Sequence, residues 1–471
     1  MIRSKRKESQ ANETKHTLTS EEQPSDCDVK IMTLSIMLNA AGLLPPAKSS
    51  SLIRLAYKVF VVFIHILFVL TLIGQIMAVV VYWGDIPLIA TTISLMTSLI
   101  GSMSSSINFL LNRKKYMRLA DTLKTEFVAK LKSKYIKIIL NAERQVVFCG
   151  ILVCIVAVCI GFIWIVVPFL STNTPFDFAN EKSVKEGSRM EELILVMWLP
   201  SKFEQSPQFE IIVFLQIFVV TFALAMIYSV DMMLLSLMSH AAAQFRVLNA
   251  MLNDMHENVR EDEIHRTRNM ASLVTGTDIS YMEFSSTNSW NGNTEHSGSA
   301  GVELDSLKNE DCEEDPVRQY LVECIRYHQA VIEFVDQLNE VFGAVSFVKM
   351  LDWPFAICMT GFQLTQTVES QEDLLKFISL FAGVVYLIIS YIWFGQQVID
   401  ESEEVATALY STDWYNQAPG FKRLLPVAIM RASNSVKVKA GVFFDMSCVT
   451  LASIMNASYT YFMMLIHLHD S

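Results

Sequence analysis

Charge is what this sequence has least of for its size. Of 471 residues only 18% are Asp, Glu, Lys or Arg, where a soluble domain carries about 25%. By contrast 52% are hydrophobic, and the mean hydropathy is +0.35. That deficit excludes an ordinary soluble globule and points to a polytopic membrane protein. No secretory leader is expected either: the start, MIRSKRKESQANETKH, is basic and polar and leads to no short apolar run with a small-residue cleavage site. None of the eight cysteines forms a Cys-x-x-Cys. Cys149, Cys154 and Cys159 lie five apart in an apolar run, and Cys358 and Cys448 are also in apolar segments. Free structural thiols are therefore expected, rather than a disulfide framework or a zinc site.

Enzyme signatures are wanting too. His256-Glu257 begins like a zincin motif, but Arg260 stands where the second histidine is required. There is no Gly-rich phosphate loop and no Gly-x-Ser-x-Gly elbow. His467 and His469 are two apart, so on one helix they point to opposite sides and make a poor chelate. No enzyme activity, cofactor or metal site is expected.

What the chain does have is seven apolar stretches able to cross about 30 Å of hydrocarbon. They cover residues 59–83, 86–111, 146–170, 209–238, 341–366, 377–394 and 441–468. Lys and Arg set the orientation. Arg3, Lys5, Arg6 and Lys7 open a basic N-terminal arm, and Arg113, Lys114, Lys115 and Arg118 begin a basic loop after the second crossing. The loop after the third crossing has only Lys182, Lys185, Arg189 and Lys202, outnumbered by acids, and ESQED after the fifth has none. The N-terminus is thus expected in the cytosol and, after seven crossings, the C-terminus outside. A G-protein-coupled receptor has the opposite orientation. Its expected motifs are also absent, with no proline after the Asn of NASYTY and no Asp-Arg-Tyr after the third crossing.

About 100 residues separate the fourth and fifth crossings, far more than an ordinary loop. The middle of that stretch is Ser/Gly/Asn-rich and acidic and reads as disordered. Helix resumes with Asp315 as N-cap and Pro316 at the first helical position. Leu321, Ile325, His328, Ile332, Val335, Leu338 and Phe342 then recur at spacings of three and four, running unbroken into the fifth crossing. A second amphipathic piece, 421–439, precedes the seventh. Such stripes serve either as an intramolecular core or as an oligomer seam.

The expected fold is an all-α membrane protein in which the fourth to sixth crossings extend into a cytosolic anchor region. It divides into a cytosolic arm (1–55), the first four crossings (56–240), a partly disordered loop (241–314), a cytosolic helix continuing into two crossings (315–400), an anchor segment (401–440) and a last helix (441–471).

ESEEVATALYSTDWYNQ, followed by GVFFDMSCVTLASIMNASYTYFMMLIHL, resembles the C-terminal signature of insect odorant receptors, especially their shared co-receptor. The inverted topology and VECIRYHQAVIEFVDQLNEVFGA before the fifth crossing fit the same family. The resemblance implies a tetrameric, odorant-gated, non-selective cation channel in a sensory-neuron plasma membrane, passing Na, K and Ca ions. Its partners would be volatile ligands, lipid, and either further copies of this chain or a co-receptor. It implies a pore along the second part of the last helix, with Tyr461, Met464 and Leu468 facing it and Met464 and Leu468 as the gate, where apolar rings exclude ions by dewetting.

Ligands in this family sit among the second, third, fourth and sixth crossings, towards the outer half. The corresponding positions here are Val79, Tyr82 and Trp83, brought to that depth by the turn into the second crossing, with Ala157, Ile160, Gly161 and Trp164 on the third. Leu215 and Val219 on the fourth and Gly383 and Tyr386 on the sixth complete the set. The aromatics, Trp83 above all, equally suit an interfacial belt. A co-receptor without its own ligand, a gustatory-type receptor and a metabotropic seven-helix receptor stay open as alternatives.

Overall fold

In the computed structural model the described residues are 51–129, 131–165, 193–275, 315–366 and 371–470. The basic arm, most of the loop after the third crossing and the Ser/Gly/Asn-rich segment therefore lie outside them. The chain is mostly helical. Its main helices are α1 (Ser51–Val81), α2 (Ile86–Thr122), α3 (Ile136–Ile165), α4 (Gln208–Asn253), α5 (Met255–Thr275), α6 (Pro316–Gln366), α7 (Gln371–Tyr410), α8 (Pro419–Ala432) and α9 (Cys448–Asp470). Among the described residues seven helices are long and apolar enough to cross a membrane. They are α1, α2, α3, α4, α6, α7 and α9, matching the seven apolar stretches in order.

Local chemistry explains the ends. Gly84 takes the left-handed conformation (φ 116°), and the carboxylate of Asp85 accepts from Leu88 N at 3.1 Å, so α1 turns directly into α2. Asp315 caps α6 as its sequence suggests, its Oδ1 accepting from Val317 N at 3.1 Å and Arg318 N at 3.3 Å. The 46 residues of α4 and 51 of α6 span about 70 and 75 Å at 1.5 Å per residue, more than twice the hydrocarbon thickness.

The apolar run at 441–447 does not join the last helix. Gly441 takes φ 66°, and Lys439–Ala440 pairs antiparallel with Phe444–Asp445 in a short hairpin. The helix starts only at Cys448. Hydropathy extends the crossing back to Gly441, but the left-handed glycine sets a turn there. The amphipathic piece expected over 421–439 likewise ends as helix at Ala432.

The chain divides into two compact units. The first takes residues up to Gln244, Ile332–Glu401 and Val436 onward. Its core includes Phe68, Phe109, Tyr116, Phe342 and Tyr391, all buried. The second takes Phe245–Val331 and Ser402–Ser435. Leu248, Leu252, Leu321, Cys324 and Phe421 are buried there, and Asn258 Nδ2 donates to the Tyr320 hydroxyl at 2.8 Å. In the stripe along α6, Leu321, His328, Val335, Leu338 and Phe342 are buried. Its apolar face is therefore covered within the chain.

Candidate ligand site and gate helix

The third, fourth and sixth crossings meet near the C-terminal end of α3. Trp164 of α3 stands edge-on to Phe377 of α7, with ring centroids 5.9 Å apart. One turn deeper Gly383 lies against Ile160 and Val156, so tightly that a Cβ at 383 would come within 2.8 Å of Ile160 Cδ1. Gly161 faces Leu224 of α4, whose Cδ1 would be 3.6 Å from an added Cβ. Small residues on facing helices thus allow close approach beside an indole. The indole Nε1 of Trp164 is buried with no hydrogen-bond partner among the described residues. An unmet buried donor costs about 1–3 kcal/mol, and an acceptor on a bound molecule would recover it. Ala157 is half-buried on the same helix; Leu215 is half-buried and Val219 buried on α4.

Not every expected position joins this group. The Tyr386 hydroxyl donates to Cys149 O at 3.2 Å, and the Ser390 hydroxyl donates to Tyr386 O at 2.8 Å. Cys149 precedes Trp164 by fifteen residues, about 22 Å along α3. The tyrosine therefore ties α7 to α3 far below the indole. Just past the C-terminal end of α1, Trp83 is 81% exposed, which suits a membrane-interface aromatic. Tyr82 packs instead with Ala78, Val196 and Trp198, and Val79 is half-buried.

Val196 and Trp198 belong to a strap that sequence reading left inside a loop. Residues 193–200, LILVMWLP, run without helix against α1 and α4. Gln216 of α4 clamps the strap with both ends of its amide, accepting from Leu195 N at 3.2 Å and donating to Leu195 O at 2.9 Å. Trp198 N donates to Gly74 O at 2.9 Å, an approach that a side chain at 74 would hinder, since its Cβ would meet Met197 at 3.2 Å. The available signal was an apolar octapeptide too short to span, with an isolated Gln in the apolar α4.

A second missed group explains the charges that interrupt the fifth crossing. Lys349 Nζ forms an ion pair with Asp231 of α4 and donates to the Tyr391 hydroxyl of α7 at 3.2 Å. All three residues are buried, and Trp353 stands edge-on to Tyr391 at 5.3 Å. Asp352 turns instead towards α2, its Oδ2 3.9 Å from where a Cβ on Gly101 would stand. A charge is tolerated in such surroundings only with a partner, and here one lysine joins three crossings.

The last helix is the least covered of the seven. Only 11% of the most apolar window of α9 is buried within the chain, against 67% for α6. Ile454 and Ser458 are buried, and Phe462 lies against Gly361 of α6, 3.6 Å from where a Cβ would stand. Tyr461 is 42% exposed and stacks on Phe355 at 5.4 Å, and Met464 is 62% exposed. Ile454 and Ser458 thus turn into the chain, whereas Tyr461 and Met464 are exposed. The side chain of Leu468 lies outside the described residues. Val449, Ser453, Asn456, Thr460 and Met464, at spacings of three and four, are all exposed, so three polar residues share the uncovered face of a spanning helix.

These helices define a seven-crossing membrane protein. A family model described as 7tm odorant receptor matches residues 85–459, and the chain belongs to that family of receptors, which are not enzymes. Among relatives, odorant receptor 85b of Drosophila melanogaster is 32% identical over 149 residues, 31% of this chain and 37% of that protein. Odorant receptor 10 of Aedes albopictus is 26% identical over 145 residues, 31% and 38% respectively. The chain thus spans little more than a third of the length of the curated relatives it matches. The fold extends much further. The olfactory receptor OR5 of Machilis hrabei, solved in complex with eugenol, superimposes with TM-score 0.69 at 14% identity, over 93% of this chain and 97% of that one. The same receptor in another structure gives 0.70 at 13% identity, over 94% and 99%.

Proposed function

We propose that the chain is a subunit of a tetrameric, odorant-gated, non-selective cation channel of the plasma membrane, with its N-terminus in the cytosol. The observation that carries this reading is the uncovered face of α9. Ser453, Asn456 and Thr460 are exposed on a helix of membrane-spanning length. Polar side chains facing hydrocarbon are costly, so such faces turn to a bundle interior or to water. Four copies of α9 around an axis would place this face on a water-filled path for Na, K and Ca ions. Met464, in the outer part of the same face, supplies the apolar ring of the gate. Tyr461 and Leu468 complete the expected pore set.

The ligand would sit between α3, α4 and α7 beside Trp164, Ile160, Gly161 and Gly383. Burying roughly 250 Å² of apolar ligand surface at about 25 cal/mol/Å² is worth about 6 kcal/mol, an affinity of tens of micromolar. The unmet Trp164 N–H favours ligands with one hydrogen-bond acceptor. The eugenol bound to the Machilis receptor makes that compound a natural first probe. To open the pore the ligand must bind the open arrangement better than the closed one.

The test is whole-cell current from cells expressing the chain alone, then with a co-receptor, during application of a volatile panel. Current from the chain alone means a homomeric channel, whereas current only with the co-receptor means an odour-tuning subunit of a heteromer. No current in either case, with surface expression verified, overturns the reading.

A further inference from the structure

The outward faces of α1 and α2 are apolar, as expected of a lipid-facing surface, but one part is concave. Between residues 61–70 of α1 and 107–111 of α2 lies an open groove of about 470 Å³. Val62, Ile66, Leu70, Ile107 and Leu111 of its wall are all exposed. The single polar side chain in the wall is His65, and both its ring nitrogens are engaged: Nδ1 donates to Val61 O at 2.7 Å, and the Ser106 hydroxyl is 3.2 Å from Nε2. The wall thus offers an occupant no unmet hydrogen bond, and what fits is hydrocarbon. The nine residue steps from Val61 to Leu70 measure about 14 Å along the helix, close to half of the roughly 30 Å hydrocarbon core. The α1 wall is thus about one leaflet long, and the α2 wall, from Ile107 to Leu111, flanks about 6 Å of it.

Its open end is charged. The groove positions on α1 continue at helical spacing to Lys58 and Arg54, and those on α2 continue to Lys114, with all three cations exposed. No Asp or Glu occurs from residue 51 to 84 or from 86 to 120. The neighbouring Lys115 is occupied elsewhere, 2.7 Å from Glu340. A leaflet-long apolar trough that ends in two lysines of different helices has the chemistry of a lipid with an anionic head.

We propose that this groove binds an acidic glycerophospholipid of the leaflet adjoining Lys58 and Lys114, with one acyl chain along the trough and the phosphate and acidic headgroup between the lysines. The proposal does not depend on the channel reading. It is tested by native mass spectrometry of the full-length protein in mild detergent, titrated with phosphatidylserine or with phosphatidylcholine of the same acyl composition. Phosphatidylserine binds more tightly to the wild type. Replacing both lysines, Lys58→Gln with Lys114→Gln, weakens it about thirtyfold, since each basic residue near an anionic surface contributes about a factor of five. The same pair of changes weakens phosphatidylcholine much less, since its headgroup carries a phosphate but no net negative charge. Ile66→Trp, which fills the trough, weakens both lipids, and Lys137→Gln, an exposed lysine on α3, changes neither. Equal binding of the two lipids to the wild type overturns the proposal, as does retention of phosphatidylserine by the lysine variant or by Ile66→Trp. A loss of oligomeric state in Ile66→Trp with lipid still bound also overturns it, because the groove is then covered by a second copy of the chain.

Discussion

Replacing Lys349 by methionine removes the charge from the junction of α4, α6 and α7 while keeping most of the side-chain volume. Asp231, 3% exposed at its side chain, then has neither its ion-pair partner nor water, and Tyr391 loses the donor 3.2 Å from its hydroxyl. Breaking a buried pair from one side costs about 3–5 kcal/mol, most of it from the charge left behind. Removing both partners, Lys349→Met with Asp231→Leu, leaves no unpaired charge and restores most of that loss. The double variant is therefore about 2–4 kcal/mol more stable than Lys349→Met alone, and the two sites are strongly non-additive. Tyr391→Phe, which deletes one neutral donor and acceptor, costs about 1 kcal/mol. The assay is thermal unfolding of the detergent-solubilised protein followed by size-exclusion fluorescence, across the two single variants, the double and the tyrosine variant. A double variant no more stable than Lys349→Met refutes the reasoning, since the damage would then come from packing rather than from a stranded carboxylate.

Two further outcomes are expected around Trp164 and the strap. Trp164→Phe keeps an aromatic ring against Phe377 and removes only the N–H, which has no partner among the described residues. Potency should fall up to about tenfold for volatiles carrying an acceptor and stay unchanged for pure hydrocarbons in dose–response recordings. Gln216→Leu deletes both hydrogen bonds to Leu195. At about 1 kcal/mol each, their loss should speed hydrogen exchange across residues 193–200 by about thirtyfold in mass-spectrometric exchange, with exchange in the middle of α6 unchanged.

The seven crossings were legible because each is a long apolar run, and a spanning helix has to satisfy its own backbone. The α6 stripe was equally legible, since spacings of three and four leave little alternative to an amphipathic helix. Its role was not, because the same stripe suits a core or a seam until the residues covering it are known. The hairpin at 439–445 was hidden by the hydropathy of Val442 and Phe443, which depends on composition, whereas the turn depends on one left-handed glycine. The strap was hidden for the opposite reason: eight apolar residues signal neither a crossing nor a strand, and their anchor is a glutamine on another helix. Lys349 and Asp352 were visible as interruptions, but the partner of Lys349 lies 118 residues away at Asp231 and Asp352 packs beside Gly101 of α2. On α9, Ile454 and Met464 are equally apolar, yet the structure buries the first and exposes the second. Spacing alone does not say which side of a helix meets its own chain.

Cysteine substitution along α9 tests the central claim most directly. Asn456→Cys and Met464→Cys place thiols on the uncovered face, and Phe462→Cys places one against Gly361, with Cys448→Ser as background. Odorant-evoked current is recorded before and after a charged, membrane-impermeant thiol reagent. The account predicts that the reagent blocks current in the Asn456 and Met464 variants and leaves the Phe462 variant conducting. Block confined to Phe462→Cys, or current unaffected in all three with labelling of the thiols verified, would contradict a pore lined by this face of the last helix.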